Sequence, residues 1–92
     1  MRIGVVGNGS MGRRRIAHSQ MHGYTDITGW DIRQDRRKEV EENFGIKTAS
    51  SQKAFENSDF DAIFICVPPA EHYYYMKLAA EKGWNFMVEN PV

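Results

Sequence analysis

The hexapeptide Gly7-Asn8-Gly9-Ser10-Met11-Gly12 constrains this chain more than any other feature. It has the spacing G-x-G-x-x-G and follows directly on an apolar run, Ile3-Gly4-Val5-Val6. A short apolar run closed by glycine reads as a strand buried on both faces, although periodicity by itself does not separate it from a buried helix fragment. After the hexapeptide the spacing turns helical. Over 10–22, Gly12, Ile16 and Ser19 share one stripe, with Arg13, Arg14 and His18 largely elsewhere. Strand, glycine loop and helix in that order give each glycine a separate task. Gly7 allows the tight turn, Gly9 lets a pyrophosphate approach the backbone, and Gly12 lets the helix pack close to the strand. The free N–H groups of the loop and helix start, across Asn8, Ser10 and Met11, would then hold phosphate oxygens.

The next segment supplies an acid at the matching distance. Gly23 stops the helix, and 26–31 reads as a second strand ending in Asp31, 19 residues beyond Gly12. An acid there can accept both ribose hydroxyls of an adenosine half, and it would repel a 2′-phosphate, so NAD is favoured over NADP. Arg33 and Arg36 or Arg37 are close enough in sequence to soften that preference. The plainer alternative is a glycine turn and a solvated acid; it leaves the register of strand, loop, helix, strand and acid unexplained.

The same alternation continues. Residues 33–43 form a strongly charged helix with Val40 and Phe44 as its apolar positions, and Gly45 is placed for a left-handed cap. Ser50 or Ser51 caps a short helix over 52–56. The clearest buried strand is 62–67, ended by Pro68-Pro69, and proline suits the first turn of the helix expected over 70–82. On that helix His72, Tyr75, Met76 and Ala79 share a face with Leu78 beside them, while Tyr74, Lys77 and Glu81 point away. Gly83 stops it, and 84–88 is a last strand. The order β-α-β-α-(α)-β-α-β implies right-handed crossovers and an α/β fold with a parallel sheet covered on both faces.

Composition narrows the partners. The 92 residues suffice for one small domain, and twelve basic side chains balance twelve acidic ones, which gives no electrostatic reason to expect nucleic acid or an acidic membrane. No apolar run approaches the roughly 20 residues of a membrane span, and the first run is too short for a signal peptide core. One cysteine, Cys66, excludes an internal disulfide and fits a cytoplasmic setting; inside a strand it reads as a small buried hydrophobe. His18 and His22 have metal-ligand spacing without a third ligand and read as helix surface. The runs Arg13-Arg14-Arg15 and Tyr73-Tyr74-Tyr75 read the same way, and Trp30 and Trp84 as packing.

With the glycine loop, Asp31 and Phe44-Gly45-Ile46, the stretch VPPAEHYYYMKLAAEKGWNFMVENP resembles the oxidoreductases of the glucose–fructose oxidoreductase, inositol dehydrogenase and MocA type. That family carries Thr-Pro-Asn-x-x-His, a helix, a glycine break, a strand and Glu-Lys-Pro. Pro68, His72, Gly83, Glu89 and Pro91 match with every spacing intact. Val67, Pro69 and Asn90 depart from it, standing for threonine, asparagine and the lysine that takes part in catalysis.

The resemblance implies a Rossmann-type dinucleotide-binding domain of which 1–92 is an incomplete first part. About four main strands are expected, in the order 3-2-1-4, with the later strands and the substrate domain absent. It implies cofactor contacts from Gly7 to Gly12 and from Asp31, Arg33, Val67, Pro68, His72, Glu89 and Asn90. His72 is expected to flank the cofactor or serve structure rather than act as a base. The implied reaction is hydride transfer between nicotinamide and a secondary alcohol of a sugar or polyol, made only together with the absent domain. An asparagine at position 90 donates hydrogen bonds but does not titrate, so a non-catalytic nucleotide-binding module or sensor stands as the alternative. A third class is an assembly domain, whose exposed sheet edge would pair with a second copy.

Overall fold

Val5 and Val6 point to opposite faces of one strand, and both are buried. That double burial organises the molecule around its first strand, as expected for a parallel sheet with helices on either side. A computed structural model describes residues 1–89. Its strands are β1 (Ile3–Val6), β2 (Ile27–Trp30), β3 (Lys47–Thr48), β4 (Ala62–Ile65) and β5 (Asn85–Val88), and its helices are α1 (Ser10–Met21), α2 (Gln34–Phe44), α3 (Gln52–Glu56) and α4 (Pro69–Lys82). All strand pairs are parallel, and the sheet order is β3-β2-β1-β4-β5.

The expected order 3-2-1-4 holds once Lys47–Thr48 takes third place. The sequence shows four main strands because a two-residue strand has no periodicity to detect. It is a strand by its pairing with β2, Thr28 opposite Lys47 and Gly29 opposite Thr48, and is further tied by the Lys47–Asp26 ion pair and the Thr48 hydroxyl donating to Glu41. The strand at 62–65 is then the fourth, beside β1, and 85–88 is a fifth at the edge. Cys66 lies just beyond β4 rather than inside it, and is half-buried.

Each face has its own core. Ile16 of α1 and Val40 of α2 pack with Ile3, Val5, Ile27 and Ile46 on one side. Phe55 of α3 and Tyr75, Leu78 and Ala79 of α4 pack with Val6, Ile63 and Ile65 on the other. The helix ends follow local chemistry. The Ser51 side chain accepts from Ala54 N–H at 3.0 Å, and Gly45 and Gly83 cap α2 and α4 in the left-handed conformation. Phe55 is the largest fully buried side chain. Its ring lies where a Cβ on Gly4 would come within 2.9 Å of it, and it packs on Phe60 with ring centroids 4.9 Å apart.

The outer strand is less covered. Phe86 and Met87 on β5 are 42% and 51% exposed, whereas β1 and β2 are buried along their length. Truncating Phe55 to alanine empties the centre of the second core. Urea denaturation should show a loss of about 3–5 kcal/mol with an unchanged m-value.

Candidate functional site

Gly7 sits between the carboxyl ends of three strands. Its N–H donates to Trp30 O at 2.8 Å, and Cys66 N–H donates to Val6 O at 2.8 Å on the other side. Its φ is +90°, and a Cβ there would fall 2.5 Å from Cys66 O, so only glycine fits the turn. The chain then climbs into α1. A Cβ on Gly12 would lie 1.8 Å from Gly7 O, so the helix rests on the backbone of the loop with no room for a side chain. The start of α1 points over the end of the sheet. Gly9 is its N-cap, with no side-chain cap and no acid in the first turn, which leaves the leading N–H groups open to an anion.

Asp31 meets this loop. It is buried, and its Oδ2 accepts from Asn8 N–H at 2.8 Å while Oδ1 accepts from Arg33 N–H at 2.8 Å. A carboxylate oxygen has a second lone pair, so each keeps capacity for a hydroxyl. Asn8 is itself fully buried. Its side chain donates to Val5 O at 3.1 Å and lies against Gly29, where the lack of a Cβ makes room. Loop and acid are therefore tied from both sides.

These groups border a cleft of about 480 Å³ at the carboxyl ends of β1, β2 and β4, where the strand order reverses. Its walls are Val6, Gly7 and the segment from Trp30 to Arg33 on one side, and Cys66 to Pro68 with the start of α4 on the other. Open α/β sheets take their ligands at this point. Of the site residues expected from the sequence, Gly7, Asp31, Arg33, Val67 and Pro68 line the cleft directly. Gly9 to Gly12 carry the helix start beside it.

His72 is set back. Its Nε2–H donates to Val67 O at 2.7 Å, pinning the segment between β4 and α4. Glu89 stands at the end of β5, its N–H donating to Ile65 O at 2.9 Å and its carboxylate ion-paired with Arg15 of α1. The expectations on Asn90 and Pro91 lie outside the described residues.

Two features were not singled out by the sequence. Arg15 falls one turn after Gly12, and its guanidinium lies 5.6 Å from the Phe64 ring centroid while reaching Glu89. The structure also separates Arg36 from Arg37. Arg37 turns away, donating to Asp31 O at 2.6 Å and stacking 5.0 Å from the Trp30 ring centroid, whereas Arg36 lines the cleft. Neither assignment is readable from neighbours in sequence. Cys66 is chemically quiet: burial first, and then Glu89, push its thiol from 9.0 up to about 12, with Arg15 acting the other way. Among the described residues no group of three or more metal-ligating side chains forms, and no helix is long and apolar enough to cross a membrane.

Comparison with known proteins gives the same picture. The model of an oxidoreductase family with an NAD-binding Rossmann fold (the GFO/IDH/MocA family) matches residues 1–92. The uncharacterized oxidoreductase YrbE of Bacillus subtilis is 31% identical over an alignment of 97 positions that takes in 97% of this chain and 27% of YrbE. A probable dehydrogenase from Thermotoga maritima superposes with a TM-score of 0.83 at 26% identity, over 99% of this chain and 28% of its own. The WlbA dehydrogenase from Chromobacterium violaceum, solved with NADH and UDP-GlcNAcA, superposes with a TM-score of 0.84 at 21% identity, over 99% and 27%. The chain thus spans little more than a quarter of the length of these relatives.

Two measurements check the site's construction. Gly12→Ala forces α1 off the loop and should cost about 3 kcal/mol in denaturant unfolding, whereas Gly9→Ala meets only the mobile end of Arg36 and should cost less than about 1 kcal/mol. The raised Cys66 pKa means that the folded chain holds this proton more tightly than the unfolded one. Its contribution to stability is whole below pH 9.0 and is lost as pH rises toward about 12. Iodoacetamide at pH 8 should therefore label Cys66 slowly in the native chain and rapidly in urea.

Proposed function

The chain belongs to the GFO/IDH/MocA oxidoreductase family, and on that premise we propose that its cleft binds NAD and serves an oxidoreductase acting on a secondary alcohol of a sugar or polyol. The observation that carries the reading is the junction of the open α1 N-terminus with Asp31. One hydrogen bond, from Asn8 N–H to Asp31 Oδ2, sets the phosphate-facing loop and the ribose-facing acid at a fixed separation. A pyrophosphate on the helix start and a ribose on the carboxylate are what a dinucleotide offers at that separation.

The roles follow from chemistry. Gly7 and Gly9 admit the pyrophosphate, and the backbone from Asn8 through Ser10 and Met11 to Gly12 carries it. Asp31 accepts the ribose hydroxyls, with Arg33 at the rim, and its charge favours NAD over NADP. Val67 and Pro68 form the opposite wall, steadied by His72, and Glu89 closes the end of β5. A bound nicotinamide supplies the hydride chemistry; the protein's part is binding, orientation and exclusion of water.

Asn90 takes the position of the catalytic lysine that the family resemblance implies. An amide can orient a substrate oxygen but cannot move a proton. A proton relay would then come from the remainder of a longer protein, which also supplies the substrate pocket. The same residue supports the second reading, a nucleotide-binding module without turnover. A cytoplasmic location fits the lone, unreactive Cys66.

Titration with NADH, followed by its fluorescence, tests the binding. Saturation below millimolar concentration is expected, and absence of binding at millimolar NADH overturns the reading. Asp31→Ala should weaken NADH by roughly 10- to 100-fold, the worth of hydrogen bonds to a charged acceptor, and NADPH by less. Equal losses for both would undo the ribose assignment.

A further inference from the structure

The dinucleotide reading leaves one pair of chemically capable side chains unused, His18 and His22 at the end of α1. They stand four residues apart, so they are neighbours along one face of the helix, and both are exposed. The chain has three histidines, and the third, His72, is occupied by Val67 O. The rings of His18 and His22 meet edge to face, with centroids 4.6 Å apart and planes at 90°. Their Nε2 atoms lie 3.2 Å apart, close enough for one Nε2–H to donate to the other Nε2.

That separation is also the bite of a chelate. Imidazole nitrogen binds zinc at about 2.0–2.1 Å, so two such bonds meeting at about 90° to 110° span about 2.9–3.4 Å. The observed 3.2 Å lies inside this range with the helix as it stands. The ring that donates has only to pass its proton from Nε2 to Nδ1 by exchange with water. Each Nε2 then offers a lone pair, the metal takes the place of the shared hydrogen, and the neutral pair releases no net proton.

The surroundings suit a cation. His22 is the C-cap of α1, so the pair sits at the negative end of the helix dipole. Of the two arginines nearest in sequence, Arg15 is turned to Glu89 and to the Phe64 ring. Arg14, one turn before His18, is exposed, and its repulsion is screened by solvent. A groove of about 380 Å³, lined by Arg14, Arg15, Ala17, His18 and Met21, opens beside the pair. It has room for the waters that fill the remaining coordination positions. A closed structural zinc site needs four protein ligands, but two imidazoles held at chelating distance suffice for an open one.

We propose that His18 and His22 form a two-imidazole site for a divalent transition metal (zinc, nickel or copper), with water completing the coordination. It lies about 12–18 Å along the helix from Ser10, away from the cleft, and does not depend on the dinucleotide reading. Imidazole suits these metals, whereas magnesium and calcium seek oxygen ligands. The bound metal staples the last turn of the helix that carries the glycine loop. The unfolded chain holds the two rings at no fixed separation and binds more weakly.

Calorimetric titration of the untagged chain with the metal chlorides, in a non-coordinating buffer at pH 7.5, tests this. One equivalent should bind well below millimolar concentration, copper most tightly, and excess magnesium should not compete. His18→Gln and His22→Gln should each weaken binding by at least about tenfold, because losing one arm removes the chelate. Both positions are exposed, so the circular dichroism of either variant should match that of the unaltered chain. Zinc should shift the imidazole nitrogen resonances of His18 and His22 and leave those of His72 in place. In urea, zinc at about 100 times its dissociation constant should raise the ratio of folded to unfolded chain by up to roughly 100-fold, and by far less in either variant. Absence of binding at millimolar metal overturns the proposal. Binding that both variants keep undiminished also overturns it, since the metal then sits elsewhere, as does a zinc-induced shift confined to His72.

Discussion

The upper surface of this molecule depends on the approach of Gly12 to the carbonyl of Gly7. With 1.8 Å between that oxygen and any Cβ at position 12, backbone meets backbone with nothing between. That contact sets the start of α1 directly on the loop at the end of β1, beside the cleft, with its leading N–H groups uncapped by any side chain. A side chain at position 12 would lift the helix and turn those donors elsewhere. The hydrogen bond from Asn8 to Asp31 extends the same constraint sideways, because it ties the loop after β1 to the end of β2. Buried Asn8 completes the bracket from below through Val5 O.

Electrostatics act on this rigid frame. Asp31 remains available to a ligand although both of its oxygens are already used, because each holds a second lone pair. The arginines near it are sorted by their partners: Asp35 takes Arg33, Trp30 and a carbonyl take Arg37, and Arg36 faces the cleft. At the far end, Arg15 links α1 to Glu89, so the helix that carries the loop also braces β5. The glycine loop, the acid and the end of the last strand are therefore parts of one connected scaffold.

Much of this was legible in the chain. Buried strands with apolar runs, such as Ile3–Val6, and helices with glycine ends, such as Gly45 and Gly83, declare themselves because each is specified by neighbours in sequence. The site's chief groups were legible for the same reason, since G-x-G-x-x-G and an acid 19 residues on are a local pattern with a geometric cause. Lys47–Thr48 was not, because two residues carry no period and only Thr28 and Gly29 make them a strand. Cys66 was misplaced by one residue at the strand end: its N–H still donates to Val6 O, but the pairing of β4 with β1 ends at Ile65 opposite Val6, where β1 turns into the glycine loop.

The amino-acid sequence by itself determined the alternation of strand and helix, the glycine loop and the acid that faces it. Those follow from backbone freedom, side-chain period and capping, all of which act over a few residues. Only the tertiary structure decided that Arg36 and not Arg37 faces the cleft, that Arg15 reaches Glu89, and that both Asp31 oxygens are bonded before a ligand arrives. Those outcomes depend on where separate elements stop against one another. Sequence distance carries no information about that, because packing on two faces of a sheet fixes the rotation of each helix only after the strands have paired.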